Sequence, residues 1–129
     1  MKPPEQETLE RLNRALARFS EALALPVSEG ANLDGTIQRF EFTFELTWKC
    51  AKRALALKGI DARSPRDAIK ECYGLGWIDD EQTWVDMLTD RNRTSHTYVE
   101  EIAHEVYDRL KDYIVLIQNL AIRISEIIS

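Results

Sequence analysis

The sequence is short of most features that mark specialised proteins. No apolar run approaches the roughly 20 residues that cross a bilayer, and the opening Met-Lys-Pro-Pro-Glu-Gln-Glu has no apolar core of a secretory signal. There are only two cysteines, Cys50 and Cys72, with 21 residues between them. That excludes a disulfide framework and leaves two reduced thiols packed in or near a core. No metal is expected, because the cysteines are isolated and no His-x-x-x-His pair occurs. Only nine residues are Gly or Pro, and none builds a glycine-rich phosphate loop, which excludes P-loop and Rossmann nucleotide binding and leaves no cofactor expected. An excess of positive charge is missing too. The net charge of −5 argues against coating nucleic acid with the whole surface, although Arg91 and Arg93 leave room for a local basic site. These absences predict a cytoplasmic protein with no membrane contact.

What the chain has is helical periodicity. In 129 residues, 44% are hydrophobic and 30% charged, the balance of one ordinary globular domain spanning 1–129. Leu9, Leu12, Leu16, Phe19 and Leu23 recur at spacings of 3 and 4, predicting a helix from Glu5 to about Leu25 that Pro26 ends. A loop over Val27–Ala31 follows. Asn32 is the expected cap of a second helix reaching Lys58, with Gly59 as its left-handed stop. Its apolar face is Ile37, Phe40, Phe44, Trp48, Ala51 and Leu55. Phe42 falls off that stripe, where exposure would favour self-association.

Ser64-Pro65-Arg66-Asp67 reads as a capping box opening a short helix to about Tyr73. Asp79 and Gln82 predict another start, for a helix through Trp84, Met87 and Leu88. Thr97 with Glu100 predicts the cap of a last helix to about Ile127, striped by Ile102, Val106, Leu110, Tyr113, Ile117, Leu120, Ile124 and Ile127. No stretch reads as a strand. The expected fold is all-α, an antiparallel up-and-down four-helix-type bundle with short extra helices.

Chemistry concentrates in residues 90–98, Asp-Arg-Asn-Arg-Thr-Ser-His-Thr-Tyr, read as a polar joint between two helices. Arg91 can grip phosphate oxygens in bidentate fashion. If Thr97 starts the last helix, His96 sits at a helix N-terminus, where unpaired N–H groups attract phosphate and the field favours a neutral imidazole suited to general-base work. Metal-free RNA cleavage needs an activated 2′-hydroxyl, a stabilised phosphorane and a leaving-group acid. One chain offers one histidine here; a symmetric dimer meeting at the joint would offer two. The bland alternative is a helix-end cap, with Arg91 paired to Asp90 or Glu100. His104 reads as a surface residue. Glu41, Glu45 and Lys49, four residues apart, form either a solvated salt-bridge row or a polar groove wall.

The spacing Arg91-x4-His96-x-Tyr98 resembles the Arg-x4-His-x-Tyr motif of HepT toxins in the HEPN superfamily. The phrase Ile37-Gln38-Arg39-Phe40-Glu41-Phe42-Thr43-Phe44-Glu45-Leu46-Thr47-Trp48-Lys49 is similar to the second-helix signature of a related family, the nucleotidyltransferase substrate-binding proteins. Ser64-Pro65-Arg66, Gly76-Trp77-Ile78, Trp84 and the 91–98 stretch match that family in order, so the likeness covers about residues 8 to 122. It implies a helical bundle that forms a homodimer and pairs with a cognate minimal nucleotidyltransferase. One implied activity is a metal-independent ribonuclease toxin acting on RNA. Arg91 would clamp phosphate, His96 would act as acid–base catalyst, Asn92 would support them, and the transferase would silence the toxin by adding AMP to Tyr98. The alternative implied role is a non-catalytic substrate-binding subunit, whose groove of Arg39, Glu45, Lys49 and the 90–98 joint holds the transferase's substrate.

Overall fold

The computed structural model describes residues 1–26, 30–96 and 99–129. Five helices account for most of them: α1 (Pro4–Ala24), α2 (Gly30–Leu57), α3 (Pro65–Gly74), α4 (Glu81–His96) and α5 (Glu100–Ile128). The architecture is the expected all-α bundle, up-and-down and antiparallel. The long helices α1, α2 and α5 pack on one another, while α3 and α4 close the remaining side of α2, and α4 also meets α5.

The stripes read from the sequence form the core. Leu12, Phe19, Ile37, Phe40, Phe44, Leu55, Val106, Leu110, Ile117 and Ile124 are fully enclosed. Phe40 lies at the centre, its ring 6.2 Å from Phe19 of α1, 6.3 Å from Phe44 and 5.8 Å from Tyr113 of α5, the last pair stacked. Each such ring removes enough apolar surface from water to stabilise the fold by roughly 1.5–3 kcal/mol. Thr36, Thr43 and Thr47 are also buried on α2. Their hydroxyls donate to the carbonyls one turn earlier at 2.6–2.7 Å, which removes the cost of enclosing them.

Helix ends follow local chemistry with four corrections. Ser64 caps α3 as expected, accepting from the Asp67 N–H at 3.1 Å, and Gly59 holds the left-handed conformation (φ 78°) just past α2. Asp67, however, reaches back to the Arg63 N–H at 3.4 Å. Asn32 is not the cap of α2, which begins at Gly30; the rest of the expected loop, residues 27–29, lies outside the described residues. The Asn32 amide donates to the Pro26 carbonyl at 3.1 Å and ties the helix to the end of the preceding segment. Asp80, not Asp79, opens α4, accepting from both the N–H and the hydroxyl of Thr83. The N-cap of α5 is Val99, which has no capping side chain, so the last helix starts later than a Thr97 cap would place it. Thr97 itself lies outside the described residues.

Candidate functional site

The stretch read as a joint is mostly helix. Asp90 to His96 form the last two turns of α4, because nothing in Asp-Arg-Asn-Arg-Thr-Ser-His interrupts a helix that Trp84 and Met87 anchor in the core. His96 is therefore the C-terminal residue of α4, and the helix end it belongs to carries partial negative charge, the opposite of the N-terminal setting expected for it. Its side chain is exposed.

Being on one helix sets the geometry of the chemical groups. Arg91 and His96, five residues apart, point about 140° apart around the axis and are separated by about 7.5 Å along it. Asn92 and His96, four apart, share a face. Asn92 Oδ1 accepts from Arg91 Nη1 at 3.1 Å, so Asn92 connects the guanidinium to the face that carries His96. Tyr98, the expected AMP acceptor, lies outside the described residues.

Arg91 turns toward α2. Its Nη2 donates to Glu45 Oε2, and its guanidinium sits 5.8 Å from the centre of the Phe44 ring. The side chain keeps 24% of its surface accessible, enough for a ligand to reach. Glu45 also accepts from Trp48 Nε1 at 3.1 Å and lies 3.4 Å from Lys49 Nζ. One turn away, Glu41 Oε2 accepts from the hydroxyls of Thr94 and Ser95 at 2.7 and 2.9 Å. Glu41 and Glu45 thus face α4 and wire α2 to it, while Lys49 stays exposed and pairs back to Glu45 on its own helix. Arg91 is paired with neither Asp90 nor Glu100. Arg39 is not part of this cluster: it lines a separate recess beside α1, with Arg18 and Phe42.

Asp90 and its partners were missed by sequence reasoning. The carboxylate is 5% exposed and accepts from Arg109 Nε and Nη2 at 2.8 and 2.9 Å, from Tyr113 Oη at 2.5 Å and from Arg93 Nη1 at 3.3 Å. Arg93 also reaches Glu105 at 3.1 Å. The hydrogen bonds to Asp90 hold the Arg109 guanidinium well above its ordinary pKa, and burial, reinforced by Asp90, pushes up the Tyr113 phenol. Both arginines of the anticipated basic site are consequently neutralised, Arg91 by Glu45 and Arg93 by Asp90 and Glu105. A usable signal existed: Trp84, Met87, Asp90 and Thr94 continue one buried face of α4, so Asp90 occupies a core position.

Cys50 and Cys72 are free and buried, and burial pushes each thiol up to about 12. Glu101 and His104 have an i, i+3 spacing used in bundle metal sites. Among the described residues, however, no three His, Cys, Asp or Glu side chains are grouped to hold a metal ion, and His104 lies 3.8 Å from Glu100 on the exposed side of α5. No helix among the described residues is long and apolar enough to cross a membrane.

Residues 7–126 match the family described as nucleotidyltransferase substrate binding protein like, and the chain belongs to it. A Haemophilus influenzae protein named "Probable ribonuclease HepT" is 38% identical over 86 residues, covering 63% of this chain and 59% of that protein. The match thus spans about three-fifths of the length of that curated relative. A solved structure from Thermus thermophilus superposes with a TM-score of 0.82 at 33% identity, covering 88% of this chain and 98% of that one. A second, from Haemophilus influenzae, is described as revealing the fold of a substrate binding domain of a nucleotidyltransferase. It gives a TM-score of 0.80 at 28% identity over 91% of this chain and 98% of that one.

Proposed function

We propose that this chain is the HepT-like member of a toxin–antitoxin pair, a metal-independent endoribonuclease that works as a homodimer beside a cognate minimal nucleotidyltransferase. The observation that carries the reading is the setting of Arg91. It is held by Glu45 and Phe44, remains partly accessible, and is linked by Asn92 to the face that bears His96. On one helix Arg91 and His96 diverge, so the site is completed by a second copy, which brings its own His96 opposite the first.

In that arrangement His96 of one copy takes the proton of an RNA 2′-hydroxyl. The 2′-oxygen bonds to phosphorus while the bond to the 5′-oxygen breaks. His96 of the other copy supplies the proton to that leaving oxygen, leaving a cyclic phosphate and a free 5′-hydroxyl. Arg91 stabilises the charge on the five-coordinate phosphorus. The transferase silences the site when Tyr98 attacks the α-phosphorus of ATP, releasing pyrophosphate. The AMP then crowds and repels phosphate two residues from His96.

The test is RNA cleavage in excess chelator. His96→Ala should slow it by about 10²–10⁴-fold and Arg91→Ala by about 10²–10³-fold. Equal cleavage by wild type and variants would remove the assignment. With ATP, magnesium and the active transferase, the chain should gain the mass of one AMP at Tyr98; no gain rejects the modification.

One observation favours a second reading, a non-catalytic subunit that holds the transferase's substrate. Arg91 is already ion-paired with Glu45, and Trp48 and Lys49 extend that pair into a seam of mixed charge suited to a ligand bearing both donors and acceptors. Tight binding of the transferase's substrate, lost in Glu45→Gln, without RNA cleavage selects this reading.

A further inference from the structure

The other flank of α2 carries a different chemistry. Between α1 and α2 lie two adjoining recesses of about 320 and 190 Å³, which share Ala15, Arg18 and Phe42. Arg11, Arg14 and Arg18 line them from α1; Gln38, Arg39 and Phe42 line them from α2. None of the four guanidinium groups makes a hydrogen bond or ion pair among the described residues, in a chain whose net charge is −5. Glu10, four residues before Arg14, is held instead by Lys2 at 2.8 Å. Phe42 is 59% exposed at the junction of the two recesses, so its ring face is open to a ligand there.

We propose that this groove binds a single-stranded phosphodiester chain, its arginines meeting successive phosphates and Phe42 stacking on a base. Arg11, Arg14 and Arg18 follow the 3–4 spacing of one helix face and extend over about 10 Å of α1. Guanidinium groups suit phosphate oxygens better than ammonium groups do. A basic track with an aromatic platform is the combination that holds single strands without reading sequence. A second copy of the chain is the poorer occupant: a two-fold interface places a patch against itself, and here it would bring two such sets of arginines together. The biological sense of the groove rests on the ribonuclease reading, since it would hold the strand being cut, but binding is measured without cleavage.

The experiment uses fluorescence anisotropy with a labelled strand of about 12 nucleotides. One arm is fully 2′-O-methylated RNA, which has no free nucleophile and cannot be cut. The other is DNA of the same sequence. Wild type should bind with a log–log salt slope near −2.8, about 0.7 for each of four phosphates met. Arg14→Gln with Arg18→Gln should weaken binding at least about ten-fold and flatten the slope by about 1.4. Phe42→Ala should weaken it at least about five-fold and leave the slope unchanged. Lys58→Gln with Arg66→Gln, an equal charge change elsewhere, should match wild type. Binding of both strands assigns recognition to phosphate and base; preference for RNA adds the ribose, and the proposal stands either way. It is overturned if the groove variants, shown folded by circular dichroism, bind like wild type. Equal loss in the control pair overturns it too, as does dissociation of an oligomer by the groove variants with oligonucleotide binding unchanged. Binding without cleavage of natural RNA removes the ribonuclease reading and leaves the groove; cleavage with groove variants unaffected in binding does the reverse.

Discussion

Replacing Asp90 with Asn keeps the shape of the side chain and removes its charge. The carboxylate accepts from two nitrogens of Arg109, from Tyr113 and from Arg93, and is almost fully enclosed. Asn offers one acceptor oxygen and turns two N–H groups toward donors. Breaking a buried charge pair by removing one partner costs about 3–5 kcal/mol. Arg109 is 39% exposed, so water recovers part of its charge and the lower end applies, about 3 kcal/mol. For a chain of this size that corresponds to a fall in Tm of roughly 10 °C. Urea unfolding at pH 7, followed by far-ultraviolet circular dichroism, should show a lower midpoint with an unchanged slope. Tyr113→Phe, which deletes one hydrogen bond to a charged group, should cost about 1.5–2 kcal/mol. The double variant should cost clearly less than the sum, because both changes act on one cluster. A loss below about 1 kcal/mol for Asp90→Asn, or strict additivity with Tyr113→Phe, would refute the view that Asp90 bolts α4 to α5.

Other expectations follow from the same contacts. Cys50 and Cys72 keep their protons to about pH 12 in the fold, whereas an unburied thiol ionises near 9.0. Their raised values contribute stability that is fully present below about pH 9 and is lost as pH rises toward 12. The loss is about 1.4 kcal/mol per pH unit per thiol; urea midpoints at pH 8 and 10.5 should show it, and Cys50→Ala with Cys72→Ala should flatten it. Ser64→Ala removes the α3 cap and should cost about 1 kcal/mol in the same melts. Gly59→Ala forces a side chain into the left-handed region and should cost about 1–2 kcal/mol, although the space around it is open.

The legible and illegible parts of the fold separate by range. The stripes on α1, α2 and α5 were readable because burial repeats every three or four residues, and Ser64-Pro65 and Gly59 because a cap is decided within a few positions. The extent of α4 was not. Its polar end suggested a joint, yet the main partners of Asp90, Arg109 and Tyr113, lie 19 and 23 residues away on α5. Likewise Arg91 finds Glu45, 46 residues earlier, and Thr94 finds Glu41, 53 residues earlier. Such pairings depend on how helices rotate against each other, which periodicity constrains only to a face. Arg39 shows the same limit from the other side. It is close in sequence to Glu45 and Lys49, but the turn of the helix carries it into the α1 groove.

Among the described residues, α2 is the one helix that touches all four others. One flank carries the Glu41 and Glu45 contacts to α4, another the wall of the arginine groove, and its apolar face the core. A single inserted or deleted residue within it would rotate everything downstream by about 100°, uncoupling all three surfaces at once. Length change in related sequences should therefore collect in the short connections at 58–64 and 75–80, where a loop absorbs it. Between Leu33 and Leu55 it should be absent, and α2 can serve as the ruler by which diverged relatives are brought into register.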